Sequence, residues 1–531
     1  GNYVLLAETV WQATGGGLDL MARPGVAAPA TFGARIQIIG GVAPAFADCS
    51  ITAHPDPTTM YYIARRYGLG LAEHEHLPAQ GTTGAMPEVL SFGLVEYEKL
   101  PLEHTTDNLP EALIFGFPNS ASMGETVAGA EIGPMTRTWF ADAGVLIARP
   151  GEGSDAVLGV AMKGGHNAEH HNHNDVGSYV VVVEDRPVLL DPGSEIYTAR
   201  TFSAQRYESR LLNSFGHPVP VVAGQLQRTG REAAAEVLAS EFRDERDTLT
   251  LDLRAAYEVE GLQRLERSFV YDRAGAGSLT VTDTVEFAQP RSFETPLITN
   301  GDFMRREDGT LVVWDTDRAV QVTVDTGGTP WELAVDEIHE EAVAQPTRLA
   351  IRLSDAVKAA VVTVRIKPLD LAADGGNNLP LNGDFELRSF GWRVPEGSQG
   401  EVSNEMAHSG EWSLKITDDS QSVGSNVTSA RMAVAGARRF VLRGQIHMVS
   451  GSGVRMYVRY YDPDGRRLNE TDERGWISAT GVASGPVGEW TAFEMPFETP
   501  PGTASMDLWI HSASSALARA YLDDLEIVPV R

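Results

Sequence analysis

The chain opens in helical rhythm. In "GNYVLLAETVWQATGG" the apolar residues Val4, Leu5, Ala7, Val10 and Trp11 recur at the three, four and seven spacings of an amphipathic helix, and the glycines from Gly15 stop it. A second helix is predicted at "PTTMYYIARRYGLG", between Gly/Pro-rich loops. From about residue 135 the period changes. "AGVLIARP", "AVLGVAMK", "SYVVVVEDRPVLLDPG", "TLTLDLRAAYEV", "SLTVTDTVEF", "TLVVWDTDRAVQVTVD" and "AAVVTVRIKP" are short alternating or wholly apolar runs parted by turn residues. Such runs predict a large antiparallel sandwich. A linker, "LAADGGNNLPLNG", precedes a third region of strands that includes "WSLKIT", "RRFVLRGQIHMV", "GVRMYVRYYDPDG" and "SMDLWIHS". The expected fold class is multidomain α+β, with helices at 1–125, a β-sandwich at 126–370 and a further β-sandwich at 371–531.

Composition narrows the partners. The 531 residues are 42% hydrophobic, enough for two or three cores, and carry 43 basic against 72 acidic residues, a net charge of −29. That balance opposes binding of nucleic acid or an anionic membrane through general electrostatics, while leaving room for an anionic substrate held by a few local cations. The single cysteine, Cys49, excludes an internal disulfide framework. No apolar run is long enough to span a membrane.

The candidate chemistry is concentrated in "GGHNAEHHNHNDVGSYVVVV", which runs into a strand of valines. In an extended backbone His171 and His173 project from one face, with Asn172 and Asn174 on the other. The hairpin that follows turns near Glu184–Pro187 and returns Asp191 to the level of the histidines; His217, in "NSFGHPVPVV", opens the next strand. Two imidazoles and a carboxylate suit zinc. Two other readings compete: a His/Asn-rich turn that only satisfies its own backbone, and a cupin, whose HxH pair also binds metal. A cupin places a glutamate three or four residues after the second histidine, where this chain has Val176 and Gly177, followed by Ser178.

The stretch "HNHNDVGSYVVVVEDRPVLLDPGSEIYTARTFSAQRYESRLLNSFGHPVPVVAGQLQ" resembles the heparinase II/III-type polysaccharide lyases: HxHxD, a hairpin to DPG, a tyrosine, RY-S, then NS-x-x-H before a strand and a glutamine. "TGGGLDL" and "RIQIIGGVAPAFADCS" resemble the last helices of that family's N-terminal (α/α) toroid, so the resemblance covers roughly residues 1–370. It implies β-elimination at a uronic acid, in which a base removes the C5 proton and an acid protonates the O4 leaving group. By similarity His171 faces substrate, as base or as neutraliser of the uronate. His173, Asp191 and His217 bind a structural zinc that fixes the strands around it. Tyr207 takes the place of a second active-site tyrosine, with Tyr197 the other occupant, and Asn213 and Gln225 make sugar hydrogen bonds. The family's main catalytic tyrosine and its carboxylate-neutralising asparagine come from toroid residues expected before Gly1, so upstream sequence, a further chain or a homo-oligomer is expected to complete the site. Export to the periplasm or outside the cell is the expected location.

In the third region, "LPLNGDFELRSFGW", "HSGEWSLKIT" and the closing "AYLDDLEIVPV" resemble jelly-roll carbohydrate-binding modules. There Glu386 and Asp524 are candidates for a structural calcium, and Trp412, Tyr457, Tyr460, Tyr461 and Trp509 are the aromatics available to stack on sugars. The expected function is a polysaccharide lyase for alginate or a glycosaminoglycan-like polymer. A uronyl C5-epimerase, a non-catalytic glycan-binding protein of the same fold and a cupin-like metalloenzyme are the alternatives.

Overall fold

A computed structural model describes residues 2–53, 59, 63, 66, 67, 136–151, 153–306, 308–342, 344–369, 382–395, 397–434, 439–462, 466–468, 478–512 and 517–530. The described chain is mostly antiparallel β-sheet with few helices. It divides into two compact units. The first takes in residues 1–300, 307–311 and 320–368; the second takes in 301–306, 312–319 and 369–531. No described helix is long and apolar enough to cross a membrane.

The first helix, Asn2–Ala13, buries Val4, Ala7 and Glu8. Of the second predicted helix, only Thr59, Ile63, Arg66 and Tyr67 are described, and Arg66 pairs with Asp19. The stretches expected to be the last toroid helices differ from that expectation. Residues 14–20 form turns, and 36–50 run as irregular chain after the single turns Ala27–Ala30 and Phe32–Arg35. Glycine explains the second case. Gly40 has φ +58°, and a Cβ there would lie 2.4 Å from the Glu184 carbonyl, so the chain is pressed onto the hairpin in a conformation no helix offers.

That irregular chain lies on a five-stranded sheet formed, in order, by Arg137–Phe140, Val145–Ala148, Leu158–Lys163, Tyr179–Val183 and Arg186–Leu189. Ile38 and Ile39 pack on Val145, Ile147, Ala161, Val180 and Val182, and the buried Arg149 guanidinium donates to the Gln37 and Arg35 carbonyls. The Tyr179–Val183 strand is buried throughout, which explains why its sequence is a valine run with no alternation.

A larger antiparallel sheet orders Arg318–Asp325, Val357–Pro368, Ser278–Arg291, Leu262–Asp272, Arg246–Asp252 and Glu236–Phe242. In Leu262–Asp272 and Ser278–Arg291 burial alternates residue by residue over most of the strand, as one covered face requires. Tyr179 meets Phe269 edge-on across the two sheets, centroids 5.9 Å apart. A third sheet, Trp331–Glu337, Thr347–Leu353, Phe293–Thr299 and Val221–Val222, joins the Arg186–Leu189 end through Leu190 N–H donating to the Ile298 carbonyl.

Arg267 stitches these layers. Fully buried, it forms a two-pronged pair with Asp283 (2.7 and 2.8 Å) and donates to Thr295 Oγ1 and to the carbonyls of Gly177 and Pro218. Those two carbonyls flank the valine strand and His217.

The second unit is a two-sheet antiparallel sandwich. One sheet contains Trp392–Arg393, Val427–Ser429, Ser505–Ile510, Val454–Tyr461 and Ser478–Ala483; the other contains Gly400–Ser403, Ser413–Asp418, Ala518–Pro529, Arg439–Gly451 and Trp490–Glu498. A single apolar core fills it, including Phe385, Trp392, Leu442, Ile446, Val458, Leu508 and Leu522.

Replacing Arg267 with Met strands the Asp283 charge in the interior and frees two carbonyls. The expected cost is about 3–5 kcal/mol, read as a lowered urea midpoint for the first unit; a loss below about 1 kcal/mol would show that Arg267 does not tie the layers.

Candidate metal centre

The polar knot closes around buried donors. The hairpin turns at Glu184–Asp185, pairing Val183 with Arg186, and delivers Asp191 beneath the histidines. His173, Asp191 and His217 are all fully buried, and one ligand atom from each lies within 4.8 Å of the others. Among the described residues this is the one such grouping of three.

His173 Nε2 lies 2.9 Å from Asp48 Oδ1, and His217 Nδ1 lies 2.9 Å from Asp191 Oδ2. A carboxylate only accepts, so those nitrogens carry the hydrogens, and in the neutral rings the opposite nitrogens carry the lone pairs. Those opposite atoms, His173 Nδ1 and His217 Nε2, are buried with no hydrogen-bond partner. Two imidazoles and a carboxylate with ligand atoms in reach of one another are a donor set that suits a divalent cation such as zinc. Asp191 is further held by Ser178 Oγ at 2.7 Å. Burial disfavours charge on all three. It keeps His173 below the usual imidazole range, whereas mutual attraction overrides it for the other pair and holds the Asp191 carboxyl low and His217 high.

Asp48 is the residue that sequence reasoning missed. Its Oδ1 takes His173 and Arg206 (2.6 Å), and its Oδ2 takes the Tyr197 hydroxyl (3.0 Å) and His171 Nδ1 (3.1 Å). Burial works against its charge, yet the hydrogen bonds from His173 and Arg206 hold its carboxyl well below the ordinary range. Its position depends on Gly193 of the DPG turn. Gly193 has φ +69°, and a Cβ there would sit 2.2 Å from the Cys49 carbonyl. Glycine thus lets residues 45–49 dock, with Ser194 N–H donating to Cys49 O and Asp48 N–H to His171 O.

The extended-strand picture of the two histidines does not hold. His171 has φ +57°, a left-handed turn, so its ring swings outward with a 61% exposed side chain while His173 is sealed. Its Nδ1 faces Asp48 and therefore carries a hydrogen, leaving Nε2 as a free base atom. The Tyr197 hydroxyl is 3.1 Å from His171 Nδ1, and Tyr197 is half exposed. Tyr207 lies elsewhere: its hydroxyl donates to the Asn172 carbonyl and accepts from Asn172 Nδ2 at 3.0 Å.

Asn213 caps the turn Ser214–Gly216 by accepting from Phe215 N–H, and its amide donates to the Tyr207 carbonyl, so both arms serve the backbone. Gln225 is exposed, with its backbone paired to Val222. The neighbouring Gln227 is the buried glutamine. It binds both backbone groups of Val176 and the Asn167 amide, and its only signal in the sequence is the same strand that drew attention to Gln225. In the second unit, Glu386 accepts from the backbone of Glu411 and Trp412, and Asp524 meets His408 and Ser409 Oγ.

Residues 133–373 match the family model described as heparinase II/III-like, C-terminal. This segment is similar to heparinase II/III-like C-terminal domains. No curated protein matches the chain. Among solved structures, a heparinase III is similar at 13% identity and TM-score 0.42, covering 75% of this chain and 49% of its own. A heparan sulfate lyase from Pedobacter heparinus is similar at 12% and 0.41, covering 72% and 49%. A CBM22 xylan-binding domain from Paenibacillus barcinonensis is similar at 16% and 0.22, covering 27% and 88%. The chain spans about half the length of the first two.

The burial contrast within the heparinase-like domain yields a direct expectation. His173→Ala removes a sealed ring and one of the two donors to Asp48 Oδ1, costing about 2–4 kcal/mol, whereas His171→Ala changes stability by less than about 1 kcal/mol. Urea denaturation of both variants decides this; equal losses would contradict the division between a buried and a presented histidine.

Proposed function

We propose that this chain is part of a polysaccharide lyase that cleaves a uronic-acid-containing polysaccharide by β-elimination. The observation that carries the reading is the presented His171, with a bare Nε2, held beside the Tyr197 hydroxyl by Asp48 directly above the buried donors of a heparinase-like domain. In the elimination the C5–H bond breaks and its electron pair forms the C4=C5 double bond while the C4–O4 bond breaks. The C5 proton passes to a base and the O4 oxygen gains a proton. His171 Nε2 has the lone pair for the first task. Tyr197 carries the only other half-exposed acid–base group in contact with it among the described residues, and suits proton delivery. Asp48 keeps the His171 hydrogen on Nδ1, so that the base atom is the one that faces solvent.

His173, Asp191 and His217 would hold a zinc ion, whose bound charge would neutralise Asp191 and lock the two strands and the loop that carry these residues. In this reading Asp48 is the carboxylate behind a ligating histidine. Glu386 and Asp524 remain a proposed calcium pair, and the protein is placed in the periplasm or outside the cell.

The test is the ultraviolet absorbance of a 4,5-unsaturated uronate on alginate, heparan, chondroitin and hyaluronan, using the chain alone and extended upstream. Appearance of that chromophore, with Tyr197→Phe lowering kcat by about 10²-fold or more, supports the lyase. Isotope exchange at C5 without the chromophore would instead assign an epimerase, and neither signal with any polymer would overturn catalysis. Independently of activity, Asp48→Asn should weaken zinc binding by about 10–100-fold in chelator competition; unchanged affinity would remove Asp48 from the metal's surroundings.

A further inference from the structure

The second unit carries a feature that the lyase reading does not use. Along Val454–Tyr461 the residues alternate: Val454, Met456, Val458 and Tyr460 enter the core, and Arg455, Tyr457, Arg459 and Tyr461 face the other way. The neighbouring strand Ser505–Ile510 pairs with it in register, Tyr457 opposite Trp509 and Arg459 opposite Asp507. Tyr460 is therefore removed as a sugar platform and Trp412 packs against the core, whereas Tyr457 and Trp509 are partly exposed on the outer face.

On that face the planar groups form a stacked rail around Trp509, with a separate arginine–tyrosine pair on the same sheet. Tyr457 and Trp509 have centroids 4.9 Å apart, and His511 stacks on Trp509 at 4.3 Å with 17° between planes. The Arg459 guanidinium lies 5.3 Å from the Trp509 ring and the Arg431 guanidinium 3.9 Å from the Tyr461 ring. Three hydrogen bonds fix the rail's geometry: Trp509 Nε1 donates to Asn426 Oδ1 at 2.8 Å, and Arg459 donates to both oxygens of Asp507 at 2.6 and 2.7 Å.

Charge decides the occupant. Asp507 is matched by Arg459, but Arg455 and Arg431 are exposed and have no acidic partner among the described residues. In a chain of 72 acidic and 43 basic residues, unmatched arginines interleaved with aromatic rings on one sheet face are a local exception. Rings take the apolar faces of pyranoses, and guanidinium forks take carboxylates. We propose that this face binds a carboxylated polysaccharide, with Tyr457 and Trp509 stacking on its sugars and Arg455 and Arg431 pairing with its carboxylates. The site is independent of the elimination chemistry and stands whether or not the first unit turns substrate over.

The test is affinity electrophoresis of the full chain in gels containing alginate, neutral xylan or dextran sulfate, with His171→Ala present throughout so that no polymer is consumed. Retardation by alginate and not by xylan, weakened about tenfold by Arg455→Ala and by Trp509→Ala, is the expected result. Arg455 is an exposed strand residue, so its substitution leaves the core untouched even if Trp509→Ala misfolds. Migration unaffected by alginate, equal retardation by xylan, stronger retardation by dextran sulfate, or alginate retardation unchanged in Arg455→Ala would each overturn the proposal. Because the readout is mobility and not unsaturated product, failure here and failure of the lyase reading are separate results.

Discussion

One carboxylate organises the first unit's site. Asp48 is almost sealed from solvent, so its charge is tolerated only because four groups converge on it: Arg206 and His173 on one oxygen, Tyr197 and His171 on the other. Removing an ion from water costs several kcal/mol unless hydrogen bonds and an opposite charge replace the solvent. Meeting that requirement fixes the positions of all four partners at once. A sealed histidine, a presented histidine and a tyrosine thereby share a common anchor. The anchor comes from a segment far from them in sequence.

That anchor in turn depends on a close backbone approach. The turn at Gly193 admits the Cys49 carbonyl where any side chain would collide, and the isoleucines before it lay the segment on the five-stranded sheet. Arg267 secures the other side, reaching the carbonyls of Gly177 and Pro218 from the larger sheet. The three buried donors are therefore held between two layers fixed by their own packing and hydrogen bonds. This is the arrangement expected when supporting groups orient ligands before a cation arrives.

Much of this was legible in the sequence, for identifiable reasons. The valine run and the alternating strands follow from burial on two faces or one, and the turn at Glu184–Asp185 with the return of Asp191 follows from hairpin geometry. Spacing drew attention to the histidines and Asp191, while the family resemblance assigned the trio His173, Asp191 and His217 to the metal. What the sequence hid were tertiary facts. His171 occupies a left-handed turn, which inverts the face that strict alternation assigns it. Asp48 sits in an irregular stretch with no period, and its partners lie more than a hundred positions away or approach through a loop. Gln225 and Gln227 are indistinguishable by pattern, since both stand beyond the same short strand and only packing selects which one turns inward. The residues read as final toroid helices failed for a related reason: glycines that permit a helix to end also permit a chain to be pressed flat against a sheet.

The two units solve opposite electrostatic problems with the same side-chain types. In the first, arginines are spent on buried carboxylates: Arg206 on Asp48 and Arg267 on Asp283, each pair closing a charge account inside low-dielectric protein. In the second, Arg459 performs that service for Asp507, yet Arg455 and Arg431 stay at the surface beside aromatic rings. A guanidinium at the surface of a strongly acidic chain would find a carboxylate of its own if folding stability were all that placed it there. Ring stacking holds Arg431 against Tyr461 without satisfying its charge, and Arg455 stands exposed on the same face, neither with an acidic partner among the described residues. Such preorganisation lowers the ordering cost of binding an anion, and it is a physical reason for an acidic protein to keep cations where its own acids do not reach.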